Sequence, residues 1–480
     1  MQEAATTHRH APDGLILAIA CLAQFMVVLD VSIVNVALPS IQLDLHFSDA
    51  GVQWVVNAYV LTFAGFLLLG GRAADLFGRR LVYLTGLAIF TIASIGAGFA
   101  ATSGQMIAVR ALQGIGGAIL SPATLTIIVT TFRGEKLPRA IGAWSAVAGA
   151  GGAVGVLLGG ILVGELNWRW IFFINVPIGI AASIIALLYL REMRNQDALV
   201  KLDIMGSLLV TGALSAIVYG VVHASSAGWT STTSTSCFFA GAIGIVVFIF
   251  WELRVASHPL LPFRIFRSRS LRGADIVMLL IGGAFFSMWF FLSFYLQNVL
   301  HMSALRAGFA FAPMSVAIIA GAQVSSRLTS RAGVRPLLFV GTLTAALGFA
   351  WLSTIQSTSS YWTVVLPAAI VASFAMGILF TPLATAATSD VDRADAGLAS
   401  GILNTARQIG GSLGLAALAT AATSRSNTFA HPYSPVALTS GYRLAFLISS
   451  VILLVAFALS FLLPASTGRR DNDHVVVDTH

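Results

Sequence analysis

Leu29-Asp-Val-Ser-Ile-Val-Asn-Val-Ala-Leu-Pro39 closes an apolar run that opens near Leu15, and Asp30 stands about midway along it. A carboxylate at that depth in a bilayer costs at least ~2.5–3.5 kcal/mol on insertion scales. A chain retains such a group when it pairs with a cation, binds a proton or lines a wet cavity. Arg110, inside another apolar run, is the cation best placed to pair with it. Two readings follow. Asp30 is a proton and cation site that other helices expose to each side of a membrane in turn, or it forms a static pair with Arg110 that only positions helices.

The rest of the chain makes the membrane reading necessary. Hydrophobic residues are 57% of the 480 and charged residues 10%, far below the charge content of soluble domains. Charge-poor runs long enough to cross the hydrocarbon core recur along the whole length. The fold class is therefore all-α and polytopic. Fourteen spans are expected,. They divide into a tail over 1–13, a six-helix bundle over 14–190, and two inserted helices with an interfacial loop over 191–272. A second six-helix bundle over 273–463 and a tail over 464–480 follow. The segment before the first span is polar and has no small-residue cleavage pattern, so no removable signal is expected.

Charge sets the orientation. Of the 27 Lys and Arg residues, 21 fall in segments on the N-terminal side of the expected spans and four on the other side. Arg110 and Arg407 fall within spans. By the positive-inside rule both termini are cytoplasmic, in the plasma membrane. The basic excess is thus a membrane signature, and nucleic acid is not an expected partner. Two cysteines, Cys21 and Cys237, make no disulfide framework and no metal-ligand spacing.

A weak internal repeat supports the division. Gly71-Arg-Ala-Ala-Asp75-Leu-Phe-Gly78-Arg-Arg80 matches Ser326-Arg-Leu-Thr-Ser330-Arg-Ala-Gly333-Val-Arg335 in spacing, and Gly151-Gly-Ala-Val-Gly155 resembles Gly410-Gly-Ser-Leu-Gly414. Parallel six-helix repeats are one way to build a transporter with a midplane site. Arg110, Gln113, Gly114 and Gly117 share one helical face, where glycines admit a close neighbour and the polar pair can bond across the gap. Gly151, Gly152, Gly155, Gly159 and Gly160 crowd the expected fifth span and allow close packing and bending there,. Arginines interleave with Leu, Ile and Phe between His258 and Arg267, as in a short helix lying in the interface,. Glu165, Glu252 and Asp275, near span ends, are expected to be wet.

These stretches together resemble the major facilitator superfamily, and within it the fourteen-span drug:proton antiporters. The resemblance rests on the Asp30 stretch, Gly71–Arg80, Arg110 to Gly117, Asn167-Trp-Arg-Trp-Ile-Phe-Phe-Ile-Asn-Val-Pro-Ile-Gly179 and His258-Pro-Leu-Leu. It implies proton-driven export by alternating access, with Arg110 assisting proton transfer from Asp30. It also implies a conformational latch at Gly71, Asp75, Gly78, Arg79 and Arg80. The glycines of the fifth span resemble the family's antiporter motif, which carries a proline after its central glycine. This chain has Val156 there.

Gln24, Met26, Asn35, Asn57, Tyr59, Gln113, Trp289, Tyr295 and Arg407 are candidates for a substrate cavity, as are Trp144, Phe286 and Gln297. For Arg407, lining the cavity and snorkelling to the interface are both open. No phosphate-binding Gly-rich loop or paired-His motif is present,. The expectation is a monomeric, non-enzymatic exporter of lipophilic cationic or neutral drugs, surrounded by lipid. It needs no cofactor and draws on the proton-motive force. In this reading the ionised Asp30 holds a cationic substrate facing inward, and a proton displaces it facing outward. Two alternatives are a dedicated exporter of one metabolite or antibiotic, and a membrane sensor or scaffold without flux.

Overall fold

The computed structural model describes residues 13–134, 136–190, 202–392, 395–461 and 463. The expected tails, Arg191, Arg194, Lys201 and Arg393 lie outside them. Among the described residues no strand occurs. The first helices are α1 (Asp13–Asp44), α2 (Trp54–Phe77), α3 (Arg79–Gly98), α4 (Ser103–Thr131) and α5 (Lys136–Glu165). A single turn, α6 (Trp170–Phe173), leads into α7 (Asn175–Tyr189). A hairpin of α8 (Ile204–Ala227) and α9 (Thr232–Phe250) comes next. The chain ends with α10 (Arg269–Phe294), α11 (Ala304–Ala332), α12 (Val334–Leu352), α13 (Leu366–Ser389), α14 (Ala396–Ser426) and α15 (Pro435–Ser460).

Local chemistry marks the helix boundaries. Thr102, Asp203, Ser231, Ser268, Ser303 and Ser434 each accept a first-turn backbone N–H, at α4, α8, α9, α10, α11 and α15. Such caps satisfy donors that have no helical partner. Gly78 and Gly333 join α2 to α3 and α11 to α12 with φ of 92° and 81°. That left-handed backbone favours glycine, and it falls at matched positions of the sequence repeat. The motif around Arg169 fastens helix ends. Arg169 meets Asp44 at 3.0 Å and donates to Gly98 O and Ala100 O, while Trp168 Nε1 donates to Asp44.

Twelve helical segments among the described residues are long and apolar enough to cross a membrane. The expected fourteen would also need α5 and α14. The apolar part of α5, Ala150–Glu165, is shorter. α14 is 31 residues long but carries Asn404, Arg407, Gln408, Ser412 and Thr420. Its packing against α2, α8, α10 and α15 accounts for that polarity, because a helix enclosed by others need not be apolar to face lipid.

The packing scheme occurs twice. α1 packs on α5, α2 on α4 and α3 on α4; likewise α10 packs on α14, α11 on α13 and α12 on α13. Two seams join the sets, α5 with α11 and α2 with α14. α8 sits against α2 and α14, with α9 outside it. The periphery is oily: Ile92, Phe99, Ile184, Leu188, Phe239, Val246, Trp362 and Leu447 are all exposed. That belt suits lipid rather than water.

α9 runs on into a π-helical turn, Trp251–Val255, and the loop beyond it holds a short 3-10 turn, Phe263–Arg267. That loop touches both sets of helices, because Arg72 of α2 donates to His258 O at 2.9 Å and Arg264 pairs at 3.1 Å with Asp395, at the start of α14.

Candidate functional site

Asp30 is buried and fully bonded. Arg110 Nη1 donates to its Oδ2 at 2.6 Å, and Gln113 Nε2 to its Oδ1 at 2.7 Å. Asn175 Nδ2 adds a longer bond to Oδ1 at 3.3 Å. Arg110 also donates to Gln113 Oε1 and to the backbone oxygen of Val55, and its guanidinium lies 4.5 Å from the centre of the Tyr59 ring. Ser94 Oγ accepts from Gln113 and Asn175. The network thus joins α1, α2, α3, α4 and α7. The facing surfaces are shaped for it: a Cβ on Gly114 would collide with Thr62 and Tyr59, so glycine there lets α4 approach α2.

A separate cavity of about 620 Å³ lies between α1, α5, α10, α11, α13 and α14. That size suits a drug-like molecule. Val28, Val156, Phe285, Phe286, Trp289 and Phe380 supply much of its wall. Of the sequence candidates, Gln24, Asn35, Trp144, Phe286, Trp289 and Arg407 line it. Arg407 therefore faces the cavity; its Nε and Nη2 donate to Asn404 Oδ1 at 3.2 and 2.8 Å. Gly152 is on the wall too, while Gly151, Gly155 and Gly159 abut α1 and Gly160 abuts Gly308 of α11. α5 runs unbroken through Val156.

Several expectations are corrected. Asp30 is not on the cavity wall. On α1 the wall residues are Gln24, Val28, Val31, Ser32 and Asn35, and at about 100° per residue Asp30 falls on the far side of the helix. Met26, one turn earlier, shares that far face and is buried in the core. Gln113 and Tyr59 belong to the Asp30 network. Asn57 Oδ1 accepts from Ser412 Oγ at 2.9 Å across the seam of α2 and α14. The Tyr295 hydroxyl is used by Gln356 O at 2.6 Å. Glu252 and Asp275 are buried rather than wet. Glu252 accepts from the backbone N–H groups of Leu260 and Leu261, whereas both Asp275 oxygens lack a partner among the described residues.

Sequence reading missed Ser94 altogether and named Asn175 only as part of a motif. Ser94 gives no signal, being one hydroxyl in an apolar helix. At the expected latch, Arg80 donates to Leu187 O at 2.9 Å. Gly71 has room for a side chain next to Pro122, and Arg79 is half-buried. The Asp75 side chain lies outside the described ones.

A second cavity of about 740 Å³ lies toward the Pro39 end, lined by Gln42, Asp49, Phe290, Phe294, Gln297 and Tyr442 among others. Along α10, Phe286 and Trp289 face the first cavity, and Phe290 and Phe294 the second. At that boundary Ser293 Oγ donates to Asn35 O at 2.6 Å and Gln297 to Val36 O at 3.0 Å.

A multi-pass helical membrane protein with a buried ion network beside a drug-sized cavity is built as a transporter. Comparison with known proteins gives the family. Residues 20–415 match the Major Facilitator Superfamily. The chain is 40% identical over 452 residues to the cephamycin export protein CmcT of Amycolatopsis lactamdurans, covering 94% of this chain and 92% of that protein. It is 38% identical over 461 residues to the puromycin resistance protein pur8 of Streptomyces alboniger, covering 94% and 90%. A crystal structure of a bacterial homologue of the human lysosomal transporter Spinster superposes with a TM-score of 0.65 at 17% identity, covering 94% of this chain and 98% of that one; this likeness is one of fold. The chain belongs to the Major Facilitator Superfamily and is not an enzyme.

Proposed function

We propose that this protein is a proton-coupled exporter of small-molecule antibiotics that works by alternating access. The observation that carries the proposal is the fully bonded Asp30 on one face of α1, with the drug-sized cavity on the other. Asp30 takes the proton. A neutral carboxyl no longer holds the Arg110 charge, so the bonds to Arg110 and Gln113 rearrange and α1 shifts against α4. Because α1 is also a cavity wall, proton and substrate act on one another through that helix. Such coupling is reciprocal. The cycle uses the proton-motive force, and Asp30 need not touch the cargo.

In this reading α5 and α14 complete fourteen crossings, arranged as two six-helix bundles with α8 and α9 inserted. The doubled packing scheme and the matched turns at Gly78 and Gly333 support it. The charge split supports cytoplasmic termini in the plasma membrane,. Gly71 to Arg80 acts as a latch at that surface. The protein works as a monomer among lipids.

The test is substrate-induced proton movement in proteoliposomes with a trapped pH dye, for wild type and Asp30→Asn. Loss of the signal in the variant, with substrate binding retained, supports Asp30 as the coupling group. An unchanged signal would remove it from that role.

A dedicated exporter is a second reading, favoured by the cephamycin export protein at 40% identity. Expression in a sensitive host separates the two. Resistance to one chemical class marks a dedicated exporter, and resistance to unrelated classes a multidrug one.

A further inference from the structure

We infer that the cavity selects substrates bearing an anionic or strongly hydrogen-bond-accepting group, which binds at Arg407. The inference rests on reading that cavity as the substrate site. Among its described lining residues Arg407 carries the only charge. Among the described residues no carboxylate faces it: Asp30 is turned to the far side of α1 and committed to Arg110, Gln113 and Asn175. A cationic drug entering the cavity meets a like charge in surroundings of low dielectric, with no anion among the described lining residues to offset it,.

The guanidinium itself is poised for a ligand. Nε and Nη2 both donate to Asn404 Oδ1, while Nη1 has no partner among the described residues. Asn404 holds the fork in place, and the Phe380 ring, with its centre 6.0 Å from the guanidinium carbon, flanks it. No ion pair to Arg407 occurs among the described residues, unlike Arg110. A planar guanidinium with a donor to spare suits a carboxylate, sulfonate or enolate oxygen. Phe286 and Trp289 offer an aromatic wall for the rest of the molecule. The expected cargo is an aromatic or polycyclic organic acid, or a neutral compound presenting carbonyl acceptors, and not the lipophilic cation expected from Asp30 in the sequence.

Equilibrium binding of three fluorescent probes to the purified full chain in detergent tests this. N-dansylglycine is an acid, dansylamide is neutral and dansylcadaverine is a cation; Trp144 and Trp289 sensitise dansyl emission. Wild type should bind the acid about 10-fold or more tightly than the cation, as expected for one charge-assisted hydrogen bond. Arg407→Gln should collapse the ratio toward unity, and Arg407→Lys should restore part of it. The ratio within each variant is read, so a general loss of affinity does not mimic the effect. A wild-type preference for the cation, a ratio unmoved by Arg407→Gln, or no binding of any probe would overturn the inference. No proton gradient is used, so failure of proton coupling at Asp30 leaves this result standing, and the reverse holds too.

Discussion

Asp30 and Ser32, two residues apart on α1, face different environments. Asp30 is sealed in a network with Arg110, Gln113 and Asn175. Ser32 is on the cavity wall and donates to Gly151 O of α5 at 3.3 Å. One helix thus touches the charge network, the cavity and the glycine face of α5. A small rotation or shift of α1 is felt at all three, with no need for proton and substrate to share atoms.

Removing the Asp30 side chain should be costly. Asp30→Ala leaves Arg110 as a buried, unpaired charge, and breaking a buried pair in this way destabilises by ~3–5 kcal/mol. Asp30→Asn keeps an oxygen able to accept from Arg110 or Gln113 and should be milder. Thermal unfolding in detergent should therefore rank wild type above Asp30→Asn and Asp30→Asn above Asp30→Ala. Equal melting of all three would mean the network contributes little to folding.

Gly308 sets the distance between α5 and α11. A Cβ there would lie 2.8 Å from Gly160 Cα and 2.9 Å from Val156 O, both backbone atoms that cannot swing away. Gly308→Val must push the two helices apart. If transport opens and closes this seam, the variant should lose about 10-fold or more of its transport rate, the size expected from ~1.4 kcal/mol of bias between states. Initial efflux rates at matched protein levels measure this. Wild-type rates would show that the seam can stay open throughout the cycle.

Val156→Pro asks whether the family's proline belongs here. It removes the N–H that bonds the carbonyl four residues earlier, and a proline inside a helix costs ~3 kcal/mol or more in a regular setting. Close packing of α5 on α1 and α11 makes relief difficult, so a lower melting temperature and reduced transport are expected. A gain in proton-coupled rate at unchanged stability would mean that α5 tolerates, and profits from, a bend at that point.

The sequence made the ion pair legible because charge is so scarce here. With two arginines inside spans and one acid midway along the first, Asp30 and Arg110 stood out before any fold was known. Helix boundaries were readable for a similar reason, since Ser, Thr, Gly and Asp interrupt long apolar runs. Which way a buried polar side chain faces was harder to read. In an enclosed helix both faces are apolar, so periodicity does not separate Gln24, which meets the cavity, from Met26, which does not. Asn57 and Tyr295 were misassigned because a polar group in a span can serve a neighbouring helix or loop as easily as a ligand. α14 met the length but not the apolarity of a span because it is wrapped by other helices.

Substrate charge and proton coupling together predict an electrical signature. Exchange of one inward proton for one outward monovalent cation moves no net charge, so only the pH gradient drives it. Exchange of one proton for one outward monoanion moves two charges inward. At ~2.3 kcal/mol per charge per 100 mV, an inside-negative potential of that size adds ~4.6 kcal/mol of drive. In proteoliposomes whose potential is set by potassium and valinomycin, wild-type exchange of N-dansylglycine should quicken as the potential becomes negative on the proton-receiving side. Exchange of dansylamide, which moves one charge, should respond about half as steeply in free-energy terms, and Arg407→Gln should depress the first far more than the second. Potential-independent movement of the acid would mean that no net charge crosses, as when the monoanion leaves together with one proton instead of against one. Asp275, buried with both oxygens unpartnered among the described residues, would then be the next carboxylate to replace.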